Sequence, residues 1–256
     1  MNLKRILTSG VAALALTSST ALAEKPKGYI SVSGDYAREL SSRSHFDTYL
    51  QSIQDALKVR DPLSSDGFGA TVCGGILLGK GYGLELEVSG ILRPSSTHGS
   101  MAVAVITEGS TSGNAILVNE TLQSHVDYAE YRGEAWLNAF REFYPFPDKS
   151  SLYLGLGAGI LMDKIVLDFG YHALHYAGIG ERYTYHVTGI GYGAKLFAGS
   201  AFQIYRNLFF NLRSGLKVGR MKFDIEEIGT DAGIIPNKSR KGILAWGVDA
   251  GLEWRF

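Results

Sequence analysis

The side chains that could do chemistry in this sequence fall into four groups. Charged residues recur at every second position inside apolar segments: Glu85 and Glu87, Glu134, Lys195, Arg213 with Lys217, and Asp249 with Glu253 and Arg255. Two carboxyls spaced like Glu85 and Glu87 could serve as general acid and base. On a strand, however, residues two apart share a face, where acids commonly stand in a ladder of charge partners, so the spacing predicts ion pairs rather than a catalytic dyad. His172 and His175 sit three apart beside Tyr171 and Tyr176, a spacing that would suit a metal pair or the histidine of an acyl hydrolase. No serine lies two residues after either histidine and no nearby carboxylate completes a ligand set, so both are read as loop histidines in an aromatic surface patch. Cys73 is the only cysteine. It can form neither an internal disulfide nor a thiolate zinc cluster, and it is expected to be a buried, inert thiol. Gly155-Leu-Gly157-Ala-Gly159 and Gly189-Ile-Gly191-Tyr-Gly193-Ala-Lys195 have the look of nucleotide loops, but they lack a βαβ setting and fit no G-x-x-x-x-G-K-[ST] pattern. Glycine at alternate positions fits a narrow interior better. No catalytic group, cofactor site or metal site is predicted.

The elements that must hold these groups are strands. In 28 to 36, GYISVSGDY sets Ile30, Val32 and Tyr36 against Ser31, Ser33 and Asp35, the period of two that a strand imposes. Seven further segments repeat the pattern. Phe68, Ala70, Val72, Ile76 and Leu78 share a face, and Leu84, Leu86, Val88 and Leu92 oppose Glu85, Glu87 and Ser89. Ala135, Leu137 and Ala139 oppose Glu134, Trp136 and Asn138; Leu152 to Met162 alternate with little but glycine. Ile190, Tyr192, Ala194 and Leu196 oppose Lys195; Phe210, Leu212, Leu216 and Val218 oppose Asn211, Arg213 and Lys217. The last is the most regular, with Leu244, Trp246, Val248, Ala250, Leu252, Trp254 and Phe256 on one side and Asp249, Glu253 and Arg255 on the other.

Composition agrees. The 256 residues include 32 glycines, 14 tyrosines, 12 phenylalanines and only 6 prolines, an all-β composition. Residues 1 to 23 combine a basic start, an apolar stretch from Ile6 to Leu16 and Ala21-Leu22-Ala23, and read as a secretory signal peptide cleaved before Glu24, leaving a single domain over 24–256. The leader carries Lys4 and Arg5 and no acid, so 25 bases against 25 acids become 23 against 25 in the mature chain. That balance argues against a nucleic-acid partner, which would need a basic face. Beyond the leader no apolar run approaches the ~18 residues of a membrane-spanning helix, so any span must be built from strands.

Strands of ~9 to 11 residues, apolar outside and polar or glycine inside, are what a transmembrane β-barrel needs. The fold class predicted is all-β, an eight-stranded antiparallel up-and-down transmembrane barrel. Its short connections (79 to 83, 145 to 150, 205 to 207) would be periplasmic turns and its long ones (37 to 66, 93 to 122, 163 to 184, 223 to 240) surface loops. A soluble β-sandwich would explain the strands but not the alternating loop lengths. Within the first long loop, Phe46, Tyr49, Leu50, Ile53 and Leu57 lie at helical spacing behind a possible Ser44 cap. In the second, MAVAVIT and NAILVNE around EGSTSG read as a hairpin rising above the membrane; counting it as two more spans would make ten strands, but the runs are short. The match of Asn119-Glu-Thr121 to a glycosylation acceptor is taken as chance. Since eight strands enclose an interior just wide enough for side chains, Glu85, Glu87, Glu134, Asp249 and Glu253 are expected to pair there with Lys195, Arg213, Lys217 and Arg255 as a structural plug.

The blocks GYISVSGDY, LNAFREFYPFPDKSSLYLGLGAGI, YGAKLFAGSAFQIYRNLFFNLRSGLKVGRMKFDI and GVDAGLEWRF resemble the membrane-spanning blocks of the bacterial surface-antigen family of the rickettsial major surface proteins, related to opacity-type and OmpA-type barrels. One departure is Leu152-Tyr153 where the family pattern has Pro-Tyr. The resemblance implies a bacterial outer-membrane antigen with adhesive or porin roles, not an enzyme, whose surface loops meet host cells or antibodies and whose barrel contacts outer-membrane lipid. It further implies that Trp254 and Phe256 form the signal read by the outer-membrane assembly machinery. A small-solute porin is the first alternative and a lipid A-modifying barrel enzyme the second. No appended wall-binding domain is expected.

Overall fold

A computed structural model describes residues 27–43, 66–108, 115–146, 150–173, 180–228 and 238–256. The chain forms eight strands, β1 (Lys27–Arg43), β2 (Asp66–Leu77), β3 (Tyr82–Glu108), β4 (Ala115–Phe146), β5 (Ser150–Ala173), β6 (Gly180–Tyr205), β7 (Leu208–Ile228) and β8 (Lys238–Arg255). Each pairs antiparallel with its sequence neighbours, and β1 closes on β8, from Tyr29 opposite Arg255 to Arg43 opposite Gly242. The molecule is an up-and-down eight-stranded transmembrane barrel, closed so that each of its strands has a partner on both sides. At the end that carries the first and last strand termini, β2 passes to β3 through a 3-10 turn at Gly79–Gly81, and β6 passes to β7 through Arg206 and Asn207. The signal peptide and the helix expected after Ser44 lie outside the described residues.

The faces of the strands are those the alternation predicts. Ile30, Val32, Leu84, Leu86, Leu137, Leu154, Ile190, Leu216 and Leu252 are exposed outside, and side chains about two-fifths to two-thirds exposed form a continuous apolar belt. In water such a belt would be an aggregation surface; around a closed barrel it is a lipid-facing surface. Aromatic residues mark its two borders. Tyr36 lies against Phe68 and Trp246 at the upper border, with centroids 5.6 and 6.1 Å away; Trp254 and Phe256 stand at the lower one.

The strands are longer than predicted, and the surface loops correspondingly shorter. They run from 12 to 32 residues, so that β5, with 24, rises roughly 60 Å at a tilt near 40°, about twice what a ~25 Å apolar band requires. Of the expected loops, 93 to 122 and 163 to 184 are thus largely strand, while in 37 to 66 and 223 to 240 the strands take in residues 37 to 43 and 66, and 223 to 228 and 238 to 240. The predicted hairpin is the top of β3 and β4, whose ladder continues to Glu108 opposite Ala115.

The reason these segments read as loops is a change of phase. Along β5 the outward residues are Leu152, Leu154, Leu156, Ala158, Ile160 and Met162, and then Lys164, Val166 and Asp168; the inward ones are Tyr153 and three glycines, and then Leu161, Asp163, Ile165, Leu167 and Phe169. Below the switch lipid lies outside, so the apolar side faces out. Above it water lies outside, and the apolar side turns in, as in a soluble barrel. Val126, Tyr128, Trp136, Leu161, Ile165, Leu167, Phe169, Tyr185, Val187, Met221, Phe223, Ile243 and Ala245 form this upper core. Since Val187 has no exposed surface, Val187→Ala is expected to destabilise the barrel by about 1.5–3 kcal/mol, and urea unfolding in micelles measures it. An unchanged midpoint would mean that the upper barrel is not packed.

Candidate functional site

The interior of the lower barrel is polar because the inward positions of adjacent strands come into register there. Glu85 stands opposite Asn138 and Gly75, Glu87 opposite Trp136 and Cys73, and Arg213 opposite Asp249. Arg213 is the centre of the group. Its Nη1 donates to Glu85 Oε1 and Glu87 Oε2, both at 2.8 Å, its Nη2 donates to Glu85 Oε2 at 3.1 Å, and its Nε lies 3.8 Å from Asp249. Lys195 bonds to Glu87 and Lys217 to Glu134. Asn138 donates to Glu85 and Glu87 at 2.7 and 3.0 Å, Tyr29 to Glu85 at 2.7 Å, and Trp136 Nε1 to Glu134 at 2.9 Å. The barrel therefore brings Glu85, Glu87, Lys195, Arg213 and Asp249 into one cluster, with Glu134 and Lys217 beside it. Aromatic faces complete the cations' surroundings, with Arg213 Cζ 5.1 Å from the Phe197 ring and Lys195 Nζ 5.4 Å from Trp136, distances at which the ring quadrupole attracts a cation.

Glu253 lies lower and apart from that cluster. It accepts from Asn211 at 2.8 Å and from Arg255 Nε at 2.6 Å, while Arg255 also bonds to Glu142 at 2.6 Å. Tyr29, Leu77, Phe140, Tyr153 and Phe197 pack across the lumen at this level. Trp254 and Phe256 point outward. The Phe256 amide donates to the Gly28 carbonyl at 2.9 Å, and the Gly28 amide donates to the Phe256 carbonyl at 3.0 Å, so the last residue fastens the β1–β8 seam. A Cβ on Gly28 would collide with the Phe256 ring.

A second ion-pair cluster lies above the first and was not read from the sequence. Arg132 donates to Asp163 at 2.7 and 2.9 Å and to Glu130 at 2.6 Å; Arg93 donates to Glu130 at 2.6 Å; Lys241 lies 2.9 Å from Glu39. Arg93 and Arg132 are 1 and 2 % exposed, as buried as the apolar core above them. The sequence pattern puts Arg93 and Asp163 in loops, and Glu130 and Arg132 precede the apolar alternation that marks the fourth segment. The available signal was their continued period of two with Glu134.

The alternate glycines are explained by this filling. A Cβ at Gly155 would strike the Phe197 and Phe140 side chains, one at Gly157 would strike Asn138, and one at Gly159 would meet Trp136 at 2.5 Å. The strand is stripped of side chains where those of its neighbours cross the lumen. Among the described residues, two interior cavities of about 10 and 30 Å3 each have room for a water or two.

Chemically, the carboxylates of Glu85 and Glu87 are already engaged by Arg213, Lys195, Asn138 and Tyr29, while among the described residues Arg213 Nε and Asn138 Oδ1 have no hydrogen-bond partner. Cys73 is buried, with Sγ 3.9 Å from Arg213 Nη2. Cys73, Glu85 and Glu87 bring ligand atoms within 4.8 Å of one another, but Arg213 and Lys195 already supply the positive charge a metal ion would bring. His172 is exposed on the outer face of β5, and His175 lies outside the described residues.

No family model and no curated protein sequence matches this chain. Among solved structures it is similar to Neisserial surface protein A, at 16% identity over 88% of this chain and 98% of that one, with a TM-score of 0.33. It is similar to Ail, the attachment invasion locus protein of Yersinia pestis, at 12% identity over 91% and 100%, also with a TM-score of 0.33. A major outer membrane protein from Thermus thermophilus aligns at 11% identity over 91% and 100%, with a TM-score of 0.46. At such scores the alignments carry no weight of their own, and the assignment rests on the chain itself: a closed ring of eight antiparallel strands, apolar where it meets lipid and ion-paired within, is an outer-membrane β-barrel.

Proposed function

We propose that this protein is a surface antigen of a Gram-negative outer membrane, closed to solutes, that acts by contact through the part of the barrel standing above the lipid. The observation that carries the reading is the filled interior: two tiers of ion pairs and an apolar core occupy the lumen where a porin would hold water. The charge ladder Glu85, Glu87, Glu134, Lys195, Arg213, Lys217, Asp249 and Glu253 is on this reading a structural plug. Strand walls that rise far past the apolar belt, joined through 44 to 65, 109 to 114, 174 to 179 and 229 to 237, form a platform for adhesion or host and antibody contact. Kinship with the rickettsial major surface proteins has the sequence blocks as its support. So have the signal peptide 1–23 and recognition of Trp254 and Phe256 by the assembly machinery, to which the seam formed by Phe256 adds a physical role.

Refolded protein in planar bilayers is expected to give no regular conductance steps, and discrete steps of uniform size would replace the plug with the small-solute pore. Expressing cells should bind host-cell surfaces more than cells whose 109 to 114 connection is replaced by a short glycine-serine turn. Equal binding would remove the contact role, and an altered lipid A mass on expression would replace it with an enzyme.

A further inference from the structure

Directly above the apolar belt, the outer face of β5, β7 and β8 carries Lys164, Arg220, Lys222 and Arg240, all exposed. Among the described residues none of the four takes part in an ion pair, whereas other cations on the outer face are matched, Arg38 with Asp66 at 3.6 Å and Arg182 with Asp168. The register makes the group more than a scatter of surface charge. Lys222 and Arg240 are direct partners across β7 and β8, an arrangement in which like charges repel and lower sheet stability unless an anion lies between them. Two residues below Lys222, Arg220 stands opposite Gly242. A Cβ on Gly242 would meet nothing within 4 Å, so the glycine leaves an open notch, with Arg220 across from it, Arg240 two residues along its own strand and Lys222 on the diagonal. On the other side, the β1 register partner of Gly242 is Arg43. Asp224 is the acid on this stretch of β7, two residues above Lys222.

What lies beneath the notch points to the kind of ligand. Val218 on β7, Leu244 on β8 and Met162 on β5 are the next outward residues down, and they belong to the lipid-facing belt. The cations thus sit at headgroup level, with apolar surface below them for acyl chains, a placement a free phosphate would not use. We propose that the Gly242 notch binds the phosphate of a phosphorylated lipid of the outer leaflet. The guanidinium forks of Arg220 and Arg240 grip it and Lys222 adds a point charge. The leaflet assignment rests on the orientation proposed above, with the long connections outside the cell.

The test uses the full folded barrel in neutral detergent and native mass spectrometry with three probes: bis-phosphorylated lipid A, the same lipid after enzymatic removal of its phosphates, and inorganic phosphate. The wild type is expected to retain the bis-phosphorylated lipid and to release the dephosphorylated one, with inorganic phosphate at the same concentration failing to compete. The triple variant Arg220→Gln, Lys222→Gln, Arg240→Gln should bind on the order of 100-fold more weakly, about fivefold for each cation removed. Gly242→Glu should abolish binding while the unboiled protein keeps its folded gel mobility, since its Cβ enters open space. Equal retention of the two lipids, undiminished binding by the triple variant, or displacement by inorganic phosphate at equal concentration would each overturn the proposal. The leaflet is read separately, by labelling His98→Cys with a membrane-impermeant maleimide on intact cells. His98 faces outward above the belt, so labelling supports the outer leaflet, and absence of labelling alongside intact lipid binding overturns the orientation while leaving the notch.

Discussion

Replacing Arg213 with alanine is expected to destabilise the folded barrel by about 3–5 kcal/mol. The guanidinium is the shared partner of Glu85 and Glu87 and the neighbour of Asp249, and its loss leaves buried carboxylates side by side in the lumen. Lys195 still holds Glu87, and Glu85 keeps the hydroxyl of Tyr29 and the amide of Asn138, but neither of these neutral donors replaces a charge. The midpoint of urea unfolding in micelles, followed by the gel mobility of unboiled protein, measures the loss. Adding Glu85→Gln to Arg213→Ala should recover part of it, because the orphaned negative charge then disappears. A midpoint unchanged by Arg213→Ala would show that the charges are hydrated, and the plug would have to be abandoned.

An arginine at the centre of the lipid-facing surface is expected to cost about 2–4 kcal/mol, and one at its border about 0–1 kcal/mol. Ala250 lies midway on β8 between Trp246 and Trp254, the aromatic residues at the upper and lower borders, and faces outward. Ala250→Arg should therefore fall at the high end of that scale and Trp254→Arg, beyond its lost ring contacts, at the low end. Equilibrium folding into lipid vesicles across a urea series distinguishes them. Equal effects at the two positions would mean that β8 does not cross the bilayer in the register described.

On the function proposed above, the exposed rim is where this protein makes its contacts. Within the belt, the outward side chains are predominantly apolar, as a fluid hydrocarbon surface demands, and the outward Ser214 accepts a hydrogen bond from Trp246 Nε1 at 3.0 Å. Above it they become individual: ion-paired at Arg182 and Asp168, bare and cationic around Gly242. On that reading, recognition of lipid or of a partner belongs at that border, because there a charged side chain can meet an anion without crossing hydrocarbon.

The sequence by itself determined the number of strands, their faces and the inward direction of every charge in the predicted ladder. A strand has a period of two, and lipid on one side allows one solution to the alternation, so Leu84 against Glu85 or Ala250 against Asp249 could be read without coordinates. Tertiary structure alone decided which charges meet. Arg213 reaches Glu85 and Glu87, more than 120 residues away in the chain, through the closure of the ring. Glu253 turned instead to Arg255 and Asn211 because it lies lower on the same strand as Asp249. It also decided where the strands end. Arg93, Arg132 and Asp163 sit at the level where the surroundings outside the barrel change from lipid to water, and there the alternation reverses its sense. A pattern search for apolar faces stops at that reversal, while the hydrogen-bonded ladder, which is indifferent to what lies outside it, runs on.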